Sequence, residues 1–308
     1  MKTVVVLGGS GFVGRRLSPS LADAGHQVYS ISRSPVIKRC PRVNYIDCNF
    51  DNVYQLGELY QRADVIFHLA CDTTPATSSQ QSSLEVTANL LPSLRLLEYL
   101  EHHCKARLVY VSSGGTIYGD AGRTPCTEQS TVDPISYYGA SKASLEFFLH
   151  AYSRQTGNPV VILRPANIYG PGQLAKQNFG FVPTLLNAIG EGHSFQLMGD
   201  GENTRDFLFI DDFTALCLAI TDHTPPPDLP VCSTFNAGSG VGISLNRLIA
   251  LAESATAEKV ELERGPARNV DVRSIVLDSS KAREVFGWVA DTPLEDGLRQ
   301  TWEWMAEH

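Results

Sequence analysis

A tyrosine and a lysine four residues apart, Tyr138 and Lys142, have the types and the spacing needed for proton transfer at an alcohol. Residues spaced by four share one face of a helix, and Ser136 is placed to cap the start of such a helix. A neighbouring ammonium group stabilises the phenolate, so the tyrosine gives up its proton more easily. The spacing alone is frequent by chance, but here it follows an apolar strand that ends in Ser112 and Ser113. The pair therefore predicts acid–base chemistry at a hydroxyl group.

A glycine motif near the N-terminus predicts a nucleotide site. Gly8, Gly11 and Gly14 form a Gly-x-x-Gly-x-x-Gly sequence that follows the first apolar strand and opens a helix. Glycines there permit a tight turn, let a diphosphate approach the helix N-terminus and allow the helix to pack closely on the strand. In this context the motif, with Phe12 and Val13 between its glycines, predicts a bound dinucleotide.

The residues after the second and third strands bear on which dinucleotide binds. Many such sites use an acidic residue about 20 residues past the glycines to bind the adenosine ribose, but this chain has Ser32 and Arg33 there. An arginine could cover a 2′-phosphate, which leaves NADP open beside NAD; alternatively, Arg33 is a solvated loop charge. Asp47 and Cys48, just after the third strand, are placed to meet the adenine edge.

Apolar runs alternate with helical stretches over the first 165 residues. Continuous Val, Ile and Leu runs separated by helices are typical of a parallel sheet covered on both faces. The sequence therefore predicts an α/β fold, a doubly wound parallel sheet of the Rossmann type. The predicted strands are Thr3–Leu7, Gln27–Ser32, Val43–Ile46, Val65–Leu69, Arg107–Ser112 and Val160–Arg164, and the predicted helices are Gly11–Ala24, Ser83–His103 and Ser136–Thr156.

After Pro165 the pattern loosens, because glycine- and proline-rich turns break the chain into short pieces. This half is typical of a smaller α+β substrate domain. A strand and a helix after residue 206 indicate a return to the first sheet. We therefore predict a dinucleotide-binding domain over 1–165, rejoined by 206–235, and a substrate-binding domain over 166–205 and 236–308.

Composition excludes several classes of protein. Hydrophobic residues make up 43% and charged residues 19%, and the apolar runs are far shorter than a membrane span, so the chain is neither disordered nor membrane-spanning. The net charge of −8 without a basic cluster argues against a nucleic-acid partner. Seven scattered cysteines without a Cys-x-x-Cys pair, and no His-Glu-x-x-His motif, predict no metal site. This cysteine usage and a start without a signal sequence lead us to expect a cytoplasmic protein.

Taken together, these motifs resemble the extended short-chain dehydrogenase/reductases, and within them the NAD-dependent sugar-nucleotide epimerase/dehydratases. The resemblance spans almost the whole chain. It is carried by Gly8–Gly14, Phe67–Ala70, Ser112–Gly119 (SSGGTIYG), Tyr138–Lys142, Leu163–Gly172 (LRPANIYGPG), Gly199–Asp212 (GDGENTRDFLFIDD), Phe235–Gly240 and Phe286–Trp288.

The resemblance implies further cofactor contacts and one departure in the catalytic loop. Leu69, Ala70 and Pro165 fall on positions that would line the cofactor beside Tyr138 and Lys142. Members of this family commonly carry a catalytic Ser or Thr at the position that is Gly114 in this chain. The neighbouring hydroxyls of Ser113 and Thr116 are then the alternatives for binding the reacting oxygen of the sugar.

The resemblance also implies a substrate site. Arg205 and Arg268 fall on positions that bind the diphosphate of the sugar nucleotide, for which the planar guanidinium is suited. Asn167 matches an asparagine that contacts the substrate, and Asn178 is a weaker match. Ile275 takes the position beside the C2 substituent of the sugar, where an aliphatic side chain leaves room for an N-acetyl group; alternatively, it is a core residue.

The leading hypothesis is a UDP-hexose 4-epimerase that works through a 4-keto intermediate, on UDP-glucose and UDP-galactose or on their N-acetylated counterparts. Dehydratases of this family carry an Asp-Glu pair after the catalytic Thr, where this chain has Gly115, Thr116 and Ile117. An NADPH-dependent 4-keto reductase stays open because of Arg33, and a non-catalytic NAD(P)-sensing protein because of Gly114.

Family members pair through two helices, so we expect a homodimer. The helices Ser83–His103 and Ser136–Thr156 would form the interface. The first carries more apolar residues than one face against a sheet needs. These are Leu90, Leu91, Leu94, Leu97 and Tyr99.

Overall fold

The computed structural model describes residues 1–120, 125–175, 180–224, 226, 229–267 and 272–307. The strands are β1 (Thr3–Leu7), β2 (Gln27–Ser32), β3 (Val43–Asp47), β4 (Val65–His68), β5 (Arg107–Val111), β6 (Val160–Pro165), β7 (Asn167–Tyr169), β8 (Phe195–Met198), β9 (Thr204–Phe209), β10 (Cys232–Ala237), β11 (Gly242–Ser244), β12 (Leu262–Gly265) and β13 (Ser274–Ile275). The helices are α1 (Phe12–Asp23), α2 (Val53–Gln61), α3 (Pro75–Gln80), α4 (Leu91–His103), α5 (Gly114–Ile117), α6 (Tyr137–Thr156), α7 (Phe181–Glu191), α8 (Ile210–Asp222), α9 (Leu245–Thr256), α10 (Ser280–Phe286) and α11 (Leu294–Glu307).

A seven-stranded sheet in the order β10-β6-β5-β4-β1-β2-β3 forms the centre of the described structure. All of its neighbouring strands pair in parallel. The strand order reverses direction between β1 and β4, and in open sheets of this kind ligands bind outside the carboxyl ends of the strands at that switch point. The predicted α/β fold with a doubly wound parallel sheet is confirmed.

Both faces of this sheet are buried, which explains why its strands are continuous apolar runs. Successive side chains of a strand point to opposite faces. Accordingly, Val4 and Val6 of β1 belong to one hydrophobic cluster, while Val5 and Leu7 belong to another. Helices on each side cover these clusters, as a parallel sheet requires.

The second half of the chain forms a smaller unit and crosses back to the large sheet. Strand β9 pairs with β7, β11 and β13, and β12 pairs with β8. A third hydrophobic cluster lies between these strands and helices α7, α9 and α11. Helix α8 follows β9 directly and packs on α1, and β10 then joins the edge of the large sheet beside β6.

The long helix expected near Ser83–His103 is divided. Glu85–Leu90 forms a π-helical segment, and α4 continues from Leu91 with Pro92 in its first turn. One extra residue per turn widens the helix locally, and such segments often occur at functional sites. Within the described residues no helix is both long and apolar enough to cross a membrane. The seven cysteines all lie within the described residues, and none of them forms a disulfide bond.

Candidate active site

The glycine motif lies at the carboxyl end of β1, beside the end of β4. Gly8 has a φ of +86°, and a Cβ added there would lie 2.8 Å from the backbone nitrogen of Ala70. A Cβ added at Gly14 would lie 2.5 Å from the carbonyl oxygen of Gly8. A side chain at either position would force the backbone segments apart. The two glycines therefore allow close backbone packing at the switch point of the sheet.

Helix α1 directs its N-terminus at this loop. Gly11 is its N-cap residue and provides no side-chain acceptor, and the first turn contains no acidic residue. The amides of Phe12 and Val13 belong to this first turn. Amide groups at a helix N-terminus without a side-chain cap attract anions, so the loop and the helix suit a diphosphate group.

Arg33 is paired with a carboxylate at the edge of the predicted adenosine site. Its guanidinium forms an ion pair with Asp72, which follows the end of β4. The backbone N–H of Asp72 in turn donates to Asn89 Oδ1 at 2.8 Å. The hydroxyl of Ser32 donates to the carbonyl oxygen of Ser34 at 2.8 Å.

The other predicted cofactor residues also lie along the carboxyl edge of the sheet. Asp47 ends β3 and forms an ion pair with Arg39 at 3.1 Å. Cys48 is buried next to it, with its thiol donating to Gln55 Oε1 at 3.1 Å. Leu69 and Ala70 follow β4, and Pro165 is the buried last residue of β6. Their roles toward a cofactor stay predictions.

Tyr138 and Lys142 lie side by side in the first turns of α6. Ser136 caps this helix, as expected, by accepting a hydrogen bond from the N–H of Gly139 at 3.1 Å. Lys142 is 7% exposed, and its Nζ lies 5.7 Å from the centre of the Tyr138 ring. The same Nζ donates to the carbonyl oxygen of Val111 at 3.0 Å, which fixes the ammonium group at the end of β5.

The surroundings of this pair change the pKa of the tyrosine. Burial raises the pKa of the Tyr138 phenol well above its ordinary value, and the nearby Cys71 and Glu85 raise it further. The phenol is therefore protonated at neutral pH unless a positive charge stabilises the phenolate. Behind the pair, burial and the charge of Lys142 lower the pKa of His68 to about 3, so this imidazole stays neutral.

Gly114 is a position at which the structure leaves no space for a side chain. A Cβ added there would lie 2.5 Å from Leu277 Cδ1 and 2.8 Å from the carbonyl oxygen of Arg164. At Gly115, by contrast, the nearest atom would be Asn167 Oδ1 at 3.7 Å. The loop therefore packs so closely on β6 that a serine at position 114 has no place.

Three hydroxyl groups lie near position 114, where the family commonly carries a Ser or Thr. The side-chain oxygens of Ser112 and Thr116 are buried and have no hydrogen-bond partner among the described residues. Ser113 is partly exposed and is the N-cap residue of α5. A Cβ added at Gly139 would lie 2.7 Å from the carbonyl oxygen of Thr116, so this loop packs on α6 next to Tyr138. The choice between Ser113 and Thr116 stays open.

The residues of the predicted substrate site lie in the smaller unit. Asn167 begins β7, beside Gly115, and its Nδ2 donates to the carbonyl oxygen of Asp206 at 2.9 Å. Arg205 lies on β9, and its guanidinium donates to the carbonyl oxygen of Thr204 at 2.9 Å. Ile275 pairs with Arg205 across β13 and β9. Its side chain is 2% exposed and belongs to the main hydrophobic cluster. Arg268 and Asn178 lie outside the described residues.

A buried aspartate joins the loop at Gly114 to this smaller unit. Asp206 is 1% exposed and accepts hydrogen bonds from the backbone N–H and the hydroxyl of Ser239, at 2.9 and 2.7 Å. Its other oxygen accepts from the N–H groups of Gly240 and Leu277, each at 3.2 Å. Because Leu277 also packs on Gly114, the carboxylate fixes the wall against which the loop at Gly114 rests.

The comparison with protein families decides the class to which this arrangement belongs. Residues 4–238 match the model of the NAD dependent epimerase/dehydratase family. The chain belongs to this family. The resemblance inferred from the sequence motifs is thereby confirmed, as is the expectation of an NAD-dependent enzyme of the epimerase class.

Individual relatives in this epimerase/dehydratase family align over nearly the whole chain. A UDP-glucose 4-epimerase of Mycolicibacterium smegmatis is 30% identical over 98% of this chain and 98% of its own length. The crystal structure of a UDP-glucose 4-epimerase from Thermotoga maritima with UDP-glucose superposes with a TM-score of 0.91, at 29% identity and over 99% of both chains. A dTDP-4-dehydro-6-deoxyglucose reductase of Escherichia coli is 25% identical over 96% of this chain and 95% of its own.

The family's cofactor, NAD, fits the residues at the switch point. The backbone at Gly8 and Gly14 has room for no side chain, and α1 has no side-chain cap at its N-terminus. A dinucleotide diphosphate is the kind of group that such a cradle binds. Gly8, Gly11 and Gly14 would hold the diphosphate, and Lys142 stands where it would meet the nicotinamide half.

Sequence reasoning missed the polar residues behind Tyr138 and Lys142. Glu85 and Asn89 hydrogen-bond to each other through Asn89 Nδ2 and Glu85 Oε2 at 2.9 Å. Cys71 follows Ala70 directly and lies close enough to Tyr138 to affect its pKa. One signal was available, since Glu85 and Asn89 stand four residues apart in a stretch predicted to be helical. That spacing places both side chains on one helix face.

Proposed function

We propose that this protein is an NAD-dependent 4-epimerase of UDP-hexoses. The observation that carries the proposal is the position of the buried Lys142 ammonium, 5.7 Å from the Tyr138 ring, at the carboxyl edge of the large sheet. The names of the relatives support a sugar-nucleotide substrate, and two of them are UDP-glucose 4-epimerases.

In this mechanism Tyr138 accepts the proton of the C4 hydroxyl. Lys142 favours the phenolate form by its positive charge, which opposes the effect of burial on the pKa of the phenol. When bound, NAD supplies a reversible hydride acceptor. Ser113 or Thr116 donates a hydrogen bond to the C4 oxygen, which holds the sugar in line with the tyrosine. Tyr138 returns the proton to the C4 oxygen after the 4-keto sugar has turned its other face; because C4 also regains the hydride that it lost, no net oxidation occurs.

The cofactor proposed is NAD rather than NADP. Arg33, the residue that could bind a 2′-phosphate, is already paired with the Asp72 carboxylate. A phosphate at this place would have to compete with that carboxylate for the guanidinium and would be repelled by its charge. The ion pair thus favours a ribose with a free 2′-hydroxyl.

For the substrate we propose a UDP-linked hexose, with acceptance of an N-acetyl group at C2. Arg205, Arg268 and Asn167 would hold the diphosphate, with Asn178 in a lesser role. Ile275 would border the C2 substituent, where an aliphatic side chain leaves more volume than an aromatic one. As part of this proposal, residues 1–165 with 206–235 bind the cofactor, and 166–205 with 236–308 bind the sugar nucleotide.

We further propose that the protein is a homodimer. Of the apolar residues expected at the interface, Leu97 is buried within the chain and only Leu91 is well exposed, at 40%. Large apolar side chains are nevertheless exposed on α6, the other helix expected at the interface, notably Phe147 at 68% and Phe148 at 45%. An exposed apolar surface of this kind favours an interface, and a monomer in sedimentation at micromolar concentration would contradict it.

The test is turnover without added cofactor. Purified protein is given UDP-glucose and UDP-N-acetylglucosamine, and the 4-epimers are quantified, while the mass of any dinucleotide released on denaturation separates NAD from NADP. Formation of either 4-epimer without added dinucleotide supports the proposal. The second candidate, a 4-keto reductase, is favoured by the reductase relative; it would consume NADPH with a 4-keto sugar nucleotide and form no epimer. If the protein binds NAD but shows neither epimerase nor reductase activity, a sensing protein is indicated.

A further inference from the structure

A small polar cavity lies behind the catalytic pair, on the side of Lys142 that faces the π-helical segment. Its volume is about 10 Å³, which is about the lower limit for a cavity that holds one water molecule. Apolar side chains complete its wall. The lining side chains that carry polar atoms are those of Cys71, Glu85, Asn89, Ser93, Tyr110, Ser141 and Lys142.

Glu85 is the acidic residue among those that line the cavity, and one of its oxygens is unsatisfied. The residue is 5% exposed, and its Oε2 accepts a hydrogen bond from Asn89 Nδ2 at 2.9 Å. Its Oε1 is buried and has no hydrogen-bond partner among the described residues. A buried carboxylate oxygen without a partner is costly, so this group needs a donor within the cavity.

Lys142, which also lines the cavity, offers the complementary groups. Its ammonium carries three N–H donors, of which one is used by the carbonyl oxygen of Val111 at 3.0 Å. Buried charges in proteins are normally paired with an opposite charge. A single water molecule could accept from Lys142 and donate to Glu85 Oε1, which would satisfy both groups.

We propose that Glu85 is a positioning residue for the reaction, which acts as the counter-charge of Lys142 through one water molecule in this cavity. The inference rests on the proposed function for the identity of the reaction. In this role Glu85 acts by offsetting part of the positive charge that Lys142 presents to Tyr138. The other groups facing the phenol are Cys71 after β4 and Tyr110 on β5.

The sign of the effect follows from these charges. Glu85 disfavours the phenolate, because two like charges repel each other across the cavity. Removing the charge without changing the shape, as in Glu85→Gln, should therefore make Tyr138 easier to deprotonate. We expect the acid limb of the kcat profile to move to lower pH by about one unit, the lower end of the usual effect of a near charge, with KM changed less than about twofold.

The experiment compares Glu85→Gln with Glu98→Gln, a variant of an exposed glutamate on α4. The pH profile of kcat is measured for both, and the phenolate absorbance of Tyr138 is titrated as the difference between each protein and its Tyr138→Phe counterpart. A shift in Glu85→Gln alone supports the proposal. An unshifted phenolate titration in a folded Glu85→Gln protein would overturn it.

Two further results keep the outcomes distinct. Should Glu85→Gln fail to fold, Glu85→Ala removes the same charge and leaves its volume to water, and an unmoved phenolate titration there would overturn the proposal. Because the titration needs no turnover, a shifted titration in a protein that epimerises no UDP-hexose would refute the proposed function and leave the role of Glu85 intact.

Discussion

The proposed cofactor site, which is the nucleotide end of the molecule, and the proposed substrate site, which is its substrate end, differ in how their residues are assembled. At the nucleotide end, neighbouring strands of one parallel sheet end at the same edge. The order of the strands therefore brings Gly8, Ala70 and Val111 together. At the substrate end, Asn167, Arg205 and Ile275 come from short strands of a separate sheet. The first site follows from a regular architecture, whereas the second depends on irregular connections between distant segments.

This difference explains what the sequence could predict. The first six strands lie within about one residue of their predicted bounds, because fully buried parallel strands are continuous apolar runs between turns. The pairing of Tyr138 with Lys142 followed from helical periodicity. By contrast, neither the pairing of Arg33 with Asp72 nor the unsatisfied Glu85 was predictable, since each depends on contacts between segments distant in sequence.

Two details were inaccessible for a different reason. The π-helical turn at Glu85–Leu90 leaves the apolar pattern of a helix nearly unchanged, so periodicity predicts one uninterrupted helix. The crowding at Gly114 involves Leu277, which lies 163 residues after Gly114 in the sequence and belongs to the smaller unit. The sequence around Gly114 cannot reveal a contact with a residue so distant along the chain.

The largest expected effect is at the catalytic pair, which belongs to the nucleotide end. Tyr138→Phe removes the group that moves the proton but keeps the ring, so we expect kcat to fall by about 10²-fold to 10⁴-fold with little change in UDP binding. The matched control is Tyr137→Phe, whose ring is 60% exposed. Activity of Tyr138→Phe within tenfold of wild type would show that another group transfers the proton.

The next effect concerns the loop between the two ends. Loss of one transition-state hydrogen bond typically lowers kcat by about 10²-fold or more, and either Ser113→Ala or Thr116→Val should show this loss. Steady-state kinetics of the two single variants and the double variant identify the hydroxyl. Wild-type rates in all three would mean that this loop provides no catalytic hydroxyl, and would strengthen the case for a sensing protein.

A comparable or smaller effect should appear at the substrate end. Ile275→Tyr should lower kcat/KM for UDP-N-acetylglucosamine relative to UDP-glucose by about 10-fold to 200-fold, because the phenol ring occupies the volume of the acetamido group. Since Ile275 is 2% exposed, the melting temperature is measured in parallel. Ile275→Val is the control. Equal losses on both substrates would make Ile275 a core residue and leave the C2 pocket unassigned.

The smallest expected effect is on stability and tests whether the two ends really constrain each other at Gly114. A serine there would place its Cβ 2.5 Å from Leu277 Cδ1 and 2.8 Å from the carbonyl oxygen of Arg164. The carbonyl belongs to β6 and cannot move without disturbing the sheet, so Gly114→Ser should lower the free energy of unfolding by about 1 to 3 kcal/mol, the usual cost of overpacking.

Gly115→Ser provides the matched comparison, since the nearest atom to its Cβ would be 3.7 Å away, in ordinary contact. In urea unfolding, the free energy of unfolding of Gly114→Ser should be well below that of Gly115→Ser. Restoring a serine at position 114 should also fail to raise kcat, because the residue can enter only by moving the loop away from Tyr138. A Gly114→Ser protein that is as stable as Gly115→Ser and turns over faster than wild type would show that this loop is free to move, and that the catalytic end does not rest on the substrate end.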